Sequence, residues 1–137
     1  MNIFERVKKL NFPLGEYVVV GGSMEAHGLR AAKDIDVVAT PALIQKLLAE
    51  GWKDAGCWNC PGCGRLYLER DDVDVLSDFS RGDKYRADTR QLIDAADVIQ
   101  GIPFVKLEEL AKWKRAAARP KDLVDVAAIE DYLTKQK

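Results

Sequence analysis

The first 51 residues alternate between helical and strand patterns of apolar positions. Segment 2–10 carries apolar residues at helical spacing, whereas 16–22 is a continuous apolar run that ends in glycines and indicates a buried strand. Ser23 is a good N-cap for a brief helix. The run 34–40 predicts a second strand, and 41–51 predicts a helix that lies between a proline and a glycine. The predicted order is therefore helix, strand, helix, strand, helix.

The middle of the chain predicts strands and hairpins. Strand patterns occur near 52–58, at 65–70 and at 73–79, with a two-residue turn of aspartates between the last two. The segment 80–90 is polar and is typical of a loop. A small hairpin is predicted within 96–107, around a glycine. These short strands extend the sheet that the first half of the chain begins.

Two helices complete the pattern. The first covers 107–118, and the second begins at Pro120, a residue that suits the first turn of a helix. Leu123, Val126 and Leu133 recur at helical spacing and define the apolar side of this last helix. Helices and strands do not alternate regularly, so the pattern indicates a mixed α+β architecture with a mainly antiparallel sheet flanked by helices.

Composition indicates a globular chain. It has 137 residues, of which 47% are hydrophobic and 31% are charged, and 21 basic side chains stand against 22 acidic ones. This length suits one domain that spans residues 1–137, and the balanced charge gives no general basic footprint for nucleic acid. No apolar run is long enough to cross a membrane, and the N-terminus does not resemble a signal peptide. We therefore expect a cytoplasmic protein without a membrane partner.

Two aspartates interrupt the apolar run of the second predicted strand. Asp34 and Asp36 project from the same face, roughly 7 Å apart along an extended chain. Carboxylates held this close repel each other and are stabilised by a hard divalent cation such as Mg²⁺ or Mn²⁺. Asp74 stands in a similar apolar surrounding on a later strand and supplies a third acid. The pattern predicts a metal site that joins these three carboxylates.

The turn that precedes these acids suits an anion. Gly21, Gly22 and Ser23 lead from a strand into a helix, so their backbone N–H groups are expected to face a ligand. A metal held by aspartates beside a phosphate-binding turn is the arrangement that phosphoryl or nucleotidyl transfer requires. The sequence thus predicts one site built from two separate segments.

Three cysteines crowd into one short turn at 57–63. Cys57, Cys60 and Cys63 surround a Pro-Gly dipeptide, as the thiolates of a zinc knuckle do. A closed zinc site needs four ligands, and the chain has no second cysteine pair. The cluster is therefore either a reduced loop without metal or a Zn²⁺ site that takes a further ligand from another subunit, an aspartate or water. Their odd number does not favour a disulfide framework.

Several separated motifs together resemble the nucleotidyltransferase superfamily, which has the polymerase-beta-like fold. They are Gly-Gly-Ser, then ten residues, then Asp-Ile-Asp-Val-Val, followed by a third acid on a later strand. The segments "RAAKDIDVV" and "KRAAARPKDLVDVAAIEDYL" are similar to the small bacterial AbiEii-like nucleotidyltransferases. The resemblance covers about residues 15–135 and implies this fold, with two C-terminal helices. The cysteine-rich turn departs from the family pattern.

The resemblance implies a role for each matching residue. Asp34, Asp36 and Asp74 bind the catalytic metals, and Asp74 also helps to deprotonate the acceptor hydroxyl. The triphosphate of an NTP is bound by residues of the glycine turn and by basic side chains, which are Gly21, Gly22, Ser23, Arg30, Lys114 and Lys121. Lys121 and Asp122 either reach this cleft or pair with each other or with the preceding helix.

Two hypotheses for function follow from these motifs. The first is a Mg²⁺-dependent enzyme that moves an NMP from an NTP to an acceptor hydroxyl and releases pyrophosphate. The acceptor is an RNA end, a protein side chain or a small molecule, and the sequence does not choose among them. The second hypothesis is a nucleotide-binding regulatory or toxin–antitoxin module that acts through a protein partner. It is motivated by the short chain, which leaves little room for a separate acceptor-binding domain.

Overall fold

The structure, a computed structural model, describes residues 2–32, 34–56, 66–81 and 84–135. Its helices in this part of the chain are α1 (Ile3–Leu10), α2 (Ser23–Ala26), α3 (Pro41–Ala49), α4 (Thr89–Asp94), α5 (Leu107–Ala117) and α6 (Pro120–Lys135). Its strands are β1 (Tyr17–Gly21), β2 (Ile35–Ala39), β3 (Lys53–Asp54), β4 (Tyr67–Arg70), β5 (Val73–Leu76), β6 (Asp97–Ile99) and β7 (Ile102–Phe104).

The strands form one mixed sheet in the order β3-β4-β5-β2-β1-β7-β6. Strand β2 pairs with β5 in parallel and β1 pairs with β7 in parallel, whereas the other neighbouring strands pair antiparallel. The predicted α+β class with a mixed, mainly antiparallel sheet is confirmed. The parallel pairing of β2 with β5 matters most for function, because it places two non-consecutive strands side by side at the centre of the sheet.

Both faces of the sheet are covered by helices. Alternate strand residues point to opposite faces, so Val19 and Val37 pack against α1 and α3, whereas Val18 and Val38 pack against α5 and α6. Residues such as Ile3, Ile44, Phe104 and Ile129 are fully buried between these layers. Burial of this kind contributes about 25 cal/mol per Å² of apolar surface and is the main force that holds the layers together.

Local capping explains where the helices begin and end. The Asn2 side chain accepts a hydrogen bond from the Glu5 N–H at 2.9 Å, and Asn11 ends α1 in the left-handed conformation. Thr40 caps α3 and Pro41 occupies its first position. These caps fix the ends of the elements that flank β1 and β2.

The predicted loop at 80–90 is partly wrong. A helix, α4, begins at Thr89, and the Asp88 side chain caps it by accepting a hydrogen bond from the Gln91 N–H at 3.0 Å. An aspartate followed by glutamine three residues later is a helix-start signal that was present in the sequence. Leu92 and Ile93 of this helix are buried on the same face of the sheet as α5.

Two further details differ from the sequence prediction. Ser23 is the first residue of α2 and not its N-cap, because Gly22 occupies the cap position with a φ of 131°. Leu123 is 51% exposed and does not join the core, whereas Val126 and Ile129 of the same helix are buried. Val126 and the half-buried Leu133, which packs against the core, confirm the predicted apolar side of α6, and Leu123 departs from it.

Other predictions fall partly or wholly outside the described residues. The strand predicted near 52–58 is observed as the two-residue β3, and the described part of the hairpin at 65–79 is confirmed by β4 and β5. Cys57, Cys60 and Cys63 lie outside the described residues. Among the residues that the structure does describe, no helix combines the length and apolar character needed to span a membrane.

Candidate functional site

Three carboxylates meet at the centre of the sheet. Asp36 of β2 lies directly beside Asp74 of β5 in the parallel register, and both side chains share the sheet face that α5 and α6 cover. Asp34 precedes β2 by one residue and lines the same cavities as Asp36. The structure therefore brings together the three acids that the sequence singled out, and the strand register is the cause.

Gly21 has a steric reason to be glycine. It ends β1 and lies beside Asp36 in the antiparallel register. A Cβ at Gly21 would overlap the Asp36 side chain, coming within 2.7 Å of its Cγ. Since real Cβ atoms do not approach other heavy atoms this closely, any larger residue would displace the Asp36 carboxylate. The glycine thus gives the central acid its position.

Gly22 is constrained in a different way. Its φ of 131° belongs to the region that side chains rarely adopt, and a Cβ there would also lie 2.7 Å from Cδ1 of Ile3. Ser23 is fully buried, and its hydroxyl donates a hydrogen bond of 2.8 Å to the Val105 carbonyl. Any contact of Ser23 with a phosphate would therefore come from its backbone N–H and not from its hydroxyl.

The surroundings of Asp36 disfavour its charged form. Its pKa is raised to about 6. Burial is the largest cause, the neighbouring Asp74 and Asp34 carboxylates add to the increase, and Lys114 partly opposes it. Asp36 and Asp74 are also close enough to share a hydrogen bond when one of them holds a proton. Two acids in this relation gain strongly from a cation that replaces the shared proton.

Asp74 has a hydrogen-bond partner that the sequence did not reveal. The Tyr67 hydroxyl donates to Oδ2 of Asp74 at 2.8 Å, across the β4–β5 hairpin. Burial and this hydrogen bond to a carboxylate raise the pKa of Tyr67, so its hydroxyl remains a donor at neutral pH. Tyr67 and Asp74 are not opposite each other in the register, and only the twist and side-chain direction in the folded hairpin show the contact.

Two cavities meet at the acids. The first cavity, of about 360 Å³, is bordered by Gly21, Gly22 and the cations Arg30, Lys114, Arg119 and Lys121. The second cavity, of about 290 Å³, is bordered by Asp74, Tyr67, Asp78, Ser80 and Arg81. Both share a boundary made of Asp34, Asp36, Leu76, Phe79, Trp113, Arg119 and Lys121. The central acids are therefore accessible from two sides.

The cations of the first cavity are largely neutralised by α6. Asp125 accepts hydrogen bonds from Arg30 Nε at 3.1 Å, from Arg30 Nη2 at 2.9 Å and from Lys114 Nζ at 2.9 Å. Burial raises the pKa of Asp125, but the hydrogen bonds and charges of these two cations outweigh it, so the net pKa is lowered. This network ties α5 and α6 to the loop before β2.

Asp122 forms a second such contact. Its side chain is 1% exposed and accepts hydrogen bonds from Arg119 at 2.5 and 3.1 Å, while Lys114 Nζ lies 3.8 Å away. Asp122 therefore pairs with Arg119, in the link between α5 and α6, and with Lys114 of the preceding helix, and it also borders the first cavity. Two of the alternatives from the sequence, pairing with the preceding helix and reaching the cleft, thus both hold for it. Lys121, in contrast, has no hydrogen-bond or ion-pair partner among the described residues, although it borders both cavities.

An aromatic wall separates the two cavities. The rings of Phe79 and Trp113 stack with centroids 5.3 Å apart and nearly parallel planes. The guanidinium groups of Arg81 and Arg119 lie 5.3 and 5.7 Å from the centroid of the Trp113 ring. Trp113 packs against the core and also borders both cavities.

The donor set of the acidic centre fits a divalent cation. Within the described ranges, no group of three or more His, Cys, Asp or Glu side chains is arranged to hold a metal ion. Mg²⁺, however, is commonly bound by one or two carboxylates, with water and substrate phosphates completing its coordination. Asp36 and Asp74, which are neighbours in the strand register and close enough to share a hydrogen bond, offer such a pair. Asp34 borders the same space.

Comparison with known proteins adds no assignment. No family model matches this chain, and a search of curated proteins finds no match.

Proposed function

We propose that the protein is a metal-dependent nucleotidyltransferase with a polymerase-beta-like fold. It transfers an NMP from an NTP to an acceptor hydroxyl and releases pyrophosphate. The observation that carries the proposal is the half-buried Asp36, which lies beside Asp74 and Asp34 at the junction of two cavities and has a pKa raised to about 6. An acid held in such a costly environment is a candidate for function rather than for structure.

The first cavity suits the nucleotide. Its border combines the glycine turn with Arg30, Lys114 and Lys121, and its volume of about 360 Å³ lies in the range of small-molecule sites. In the proposed complex, Lys121 neutralises phosphate oxygens, and Arg30 and Lys114 add the part of their charge that Asp125 leaves uncompensated. The backbone of Gly22 approaches the phosphates without an intervening side chain. Lys121 contributes most directly, because its ammonium group has no competing partner among the described residues.

Asp34, Asp36 and Asp74 would hold Mg²⁺ or Mn²⁺. A bound divalent cation would supply charge neutralisation for the phosphates and polarisation of the reacting phosphorus centre. The protein residues themselves position these groups: Gly21 leaves room for Asp36, and Tyr67 directs Asp74 through the hydrogen bond to Oδ2. This arrangement keeps the acids fixed before substrate arrives, which lowers the cost of organising the transition state.

The proposed reaction is a displacement at the α-phosphorus of the NTP. The acceptor oxygen forms a bond to the α-phosphorus, the bond from that phosphorus to the bridging oxygen of the β-phosphate breaks, and pyrophosphate leaves. The carboxylate of Asp74 takes the hydroxyl proton as a general base. Asp74 suits this role because it borders the second cavity, on the side of the centre away from the glycine turn.

A second candidate function is a nucleotide-binding module that acts through a protein partner. It is favoured by two adjacent apolar side chains on α6, since Leu123 is 51% and Val124 is 70% exposed. Neighbouring exposed apolar residues are typical of contact surfaces when they form part of a larger patch. Robust nucleotide transfer by the isolated chain would count against this candidate.

The test is transfer of label from each α-³²P-labelled NTP, with Mg²⁺, to components of a cell extract. The account expects labelled product with the unaltered protein and a loss of at least about 100-fold with Asp36→Asn, since even partners that only orient metal ligands are worth 10–100-fold. Asp94→Asn is the matched control, because Asp94 is exposed and lies outside both cavities. Unchanged transfer by Asp36→Asn would refute the proposal.

A further inference from the structure

The second cavity has features of a binding site that the nucleotide does not use. Its border includes the reactive carboxylate of Asp74, which the first cavity lacks, together with the Tyr67 hydroxyl. The first cavity holds the glycine turn and most of the basic side chains. A nucleotide in the first cavity would therefore leave the second one open for another molecule beside Asp74 and Asp36.

The walls of the second cavity favour a compact body with an apolar or planar face. Phe79 and Trp113 present stacked rings, and Leu76 adds aliphatic surface. The Trp113 ring is held in place by Phe79 and by the guanidinium groups of Arg81 and Arg119. Apolar and aromatic walls with a few convergent polar groups characterise small-molecule sites. A volume of about 290 Å³ greatly exceeds the size of a serine or threonine side chain.

The charge of the second cavity disfavours a polyanionic ligand. Its described border carries four carboxylates, those of Asp34, Asp36, Asp74 and Asp78, against three cations, those of Arg81, Arg119 and Lys121. Arg119 is already bound to Asp122, so its charge is partly compensated. Nucleic acids require a surplus of positive charge along their phosphates. The border offers no such surplus.

We infer that the second cavity binds the acceptor, and that this acceptor is a small, unphosphorylated molecule that carries a hydroxyl group on a body with an apolar or planar face. The inference rests on the proposed nucleotidyltransferase function and specifies its substrate class. The acceptor hydroxyl lies beside Asp74, while the remainder of the molecule contacts Tyr67 and the Phe79–Trp113 wall.

The test separates a cell extract into a low-molecular-mass fraction, nucleic acid and protein, and offers each with labelled NTP and Mg²⁺ to the purified chain. The inference expects label in the low-molecular-mass fraction. Label confined to nucleic acid or to protein would overturn the inference and leave the proposed function intact. Absence of label from every fraction would overturn the proposed function, and the inference with it.

Tyr67→Phe sharpens the test within the low-molecular-mass fraction. Loss of the hydrogen bond to Asp74 should reduce transfer roughly fivefold, as expected for one hydrogen bond, and should raise KM for the acceptor more than KM for the NTP. Tyr132→Phe is the matched control, because Tyr132 is half-buried and borders neither cavity. Equal transfer by Tyr67→Phe and the unaltered protein would contradict the placement of the acceptor.

Discussion

Two pairs of aspartates in this protein have opposite electrostatic surroundings. Asp122 and Asp125 of α6 are buried but are surrounded by arginine and lysine side chains, and the pKa of Asp125 is lowered. Asp36 and Asp74 face each other instead, and the pKa of Asp36 is raised to about 6. The first pair is satisfied by the protein itself. The second pair, together with Asp34, has an excess of negative charge that a ligand from outside can neutralise.

The difference separates structure from function in a chain that contains many acids. Breaking the contact of a buried carboxylate with its own cations is costly, and such a carboxylate has little charge left for a ligand to neutralise. Half-buried carboxylates that repel each other, such as Asp36 and Asp74, reduce stability, so a functional reason is needed for their presence. On this criterion the centre of the sheet is the candidate site, and the α5–α6 contact mainly supports it. Lys121 is an exception on the basic side, since it has no partner among the described residues.

The largest effect on stability is expected from Asp125→Ala. It would leave Lys114 buried without its nearest anion and remove the contact between α6 and Arg30. Breaking such a pair costs roughly 2–4 kcal/mol of unfolding free energy, after allowance for the half-exposed arginine. Chemical denaturation measures it. Asp131→Ala, which breaks an exposed ion pair with Lys135, should change stability by less than about 0.5 kcal/mol; equal costs would contradict the structural role of Asp125.

Gly21→Ala should lower the free energy of unfolding of the protein by roughly 1–3 kcal/mol, as overpacking does, because its new Cβ overlaps the Asp36 carboxyl group. A double-mutant cycle tests whether the overlap with the Asp36 carboxyl group causes this loss of stability. In an Asp36→Ala background the carboxyl group is gone, so the cost of Gly21→Ala should fall clearly. The same cost in both backgrounds, measured by denaturation, would show that Gly21 serves another purpose.

Asp36→Asn should stabilise the metal-free protein. A carboxyl group whose pKa is higher in the folded state than its usual value of 3.8 binds more protons when folded, so stability declines as pH rises between about 4 and 6. Above pH 6 the full cost of the charged form is present, and its removal should gain on the order of 1–2 kcal/mol. Thermal unfolding in EDTA at pH 7.5 and pH 4 measures the difference. A stabilisation that is equal at both pH values would contradict the assigned cause.

The smallest effect on stability is expected from Lys121→Ala. Because Lys121 has no partner among the described residues, its loss should change the free energy of unfolding by less than about 0.5 kcal/mol. NTP affinity should nevertheless fall about tenfold, since a charge-assisted contact to phosphate is worth roughly 1.5–3 kcal/mol and the exposed position of Lys121 favours the lower value. Titration with NTP and Mg²⁺ measures this loss. A destabilised variant with unchanged NTP affinity would assign Lys121 to the structure.

Sequence patterns identified the candidate acids, but they did not predict which residues lie next to each other in the fold. Alternation along β2 and β5 placed Asp36 and Asp74 on strand faces, because side-chain direction follows a local rule with a period of two. The parallel pairing that makes them neighbours depends on the order of strands in the sheet, which no local rule supplies. The contact of Arg30 with Asp125 joins residues 95 positions apart, so no local sequence pattern predicts it.

Gly21 and helix α4 are two further features that local sequence patterns did not predict. Gly21 was predicted to offer a backbone donor, but its close approach to Asp36 depends on a tertiary contact that the sequence does not display. Helix α4 has only six residues and a polar first turn, so its apolar period was too short to recognise. Its cap, Asp88 with Gln91, was the available local signal.

The most direct test of the central claim is a calorimetric titration with Mg²⁺ and a non-hydrolysable NTP analogue, for each of the four bases, on the unaltered protein and on Asp74→Asn. We expect at least one analogue to bind the unaltered protein in a Mg²⁺-dependent manner. At pH 6, close to the raised pKa of Asp36, this binding should also release protons as the metal displaces the proton shared by Asp36 and Asp74. We also expect Asp74→Asn to weaken this binding at least about tenfold. Equal binding by both proteins, or no Mg²⁺-dependent binding of any analogue, would contradict the central claim.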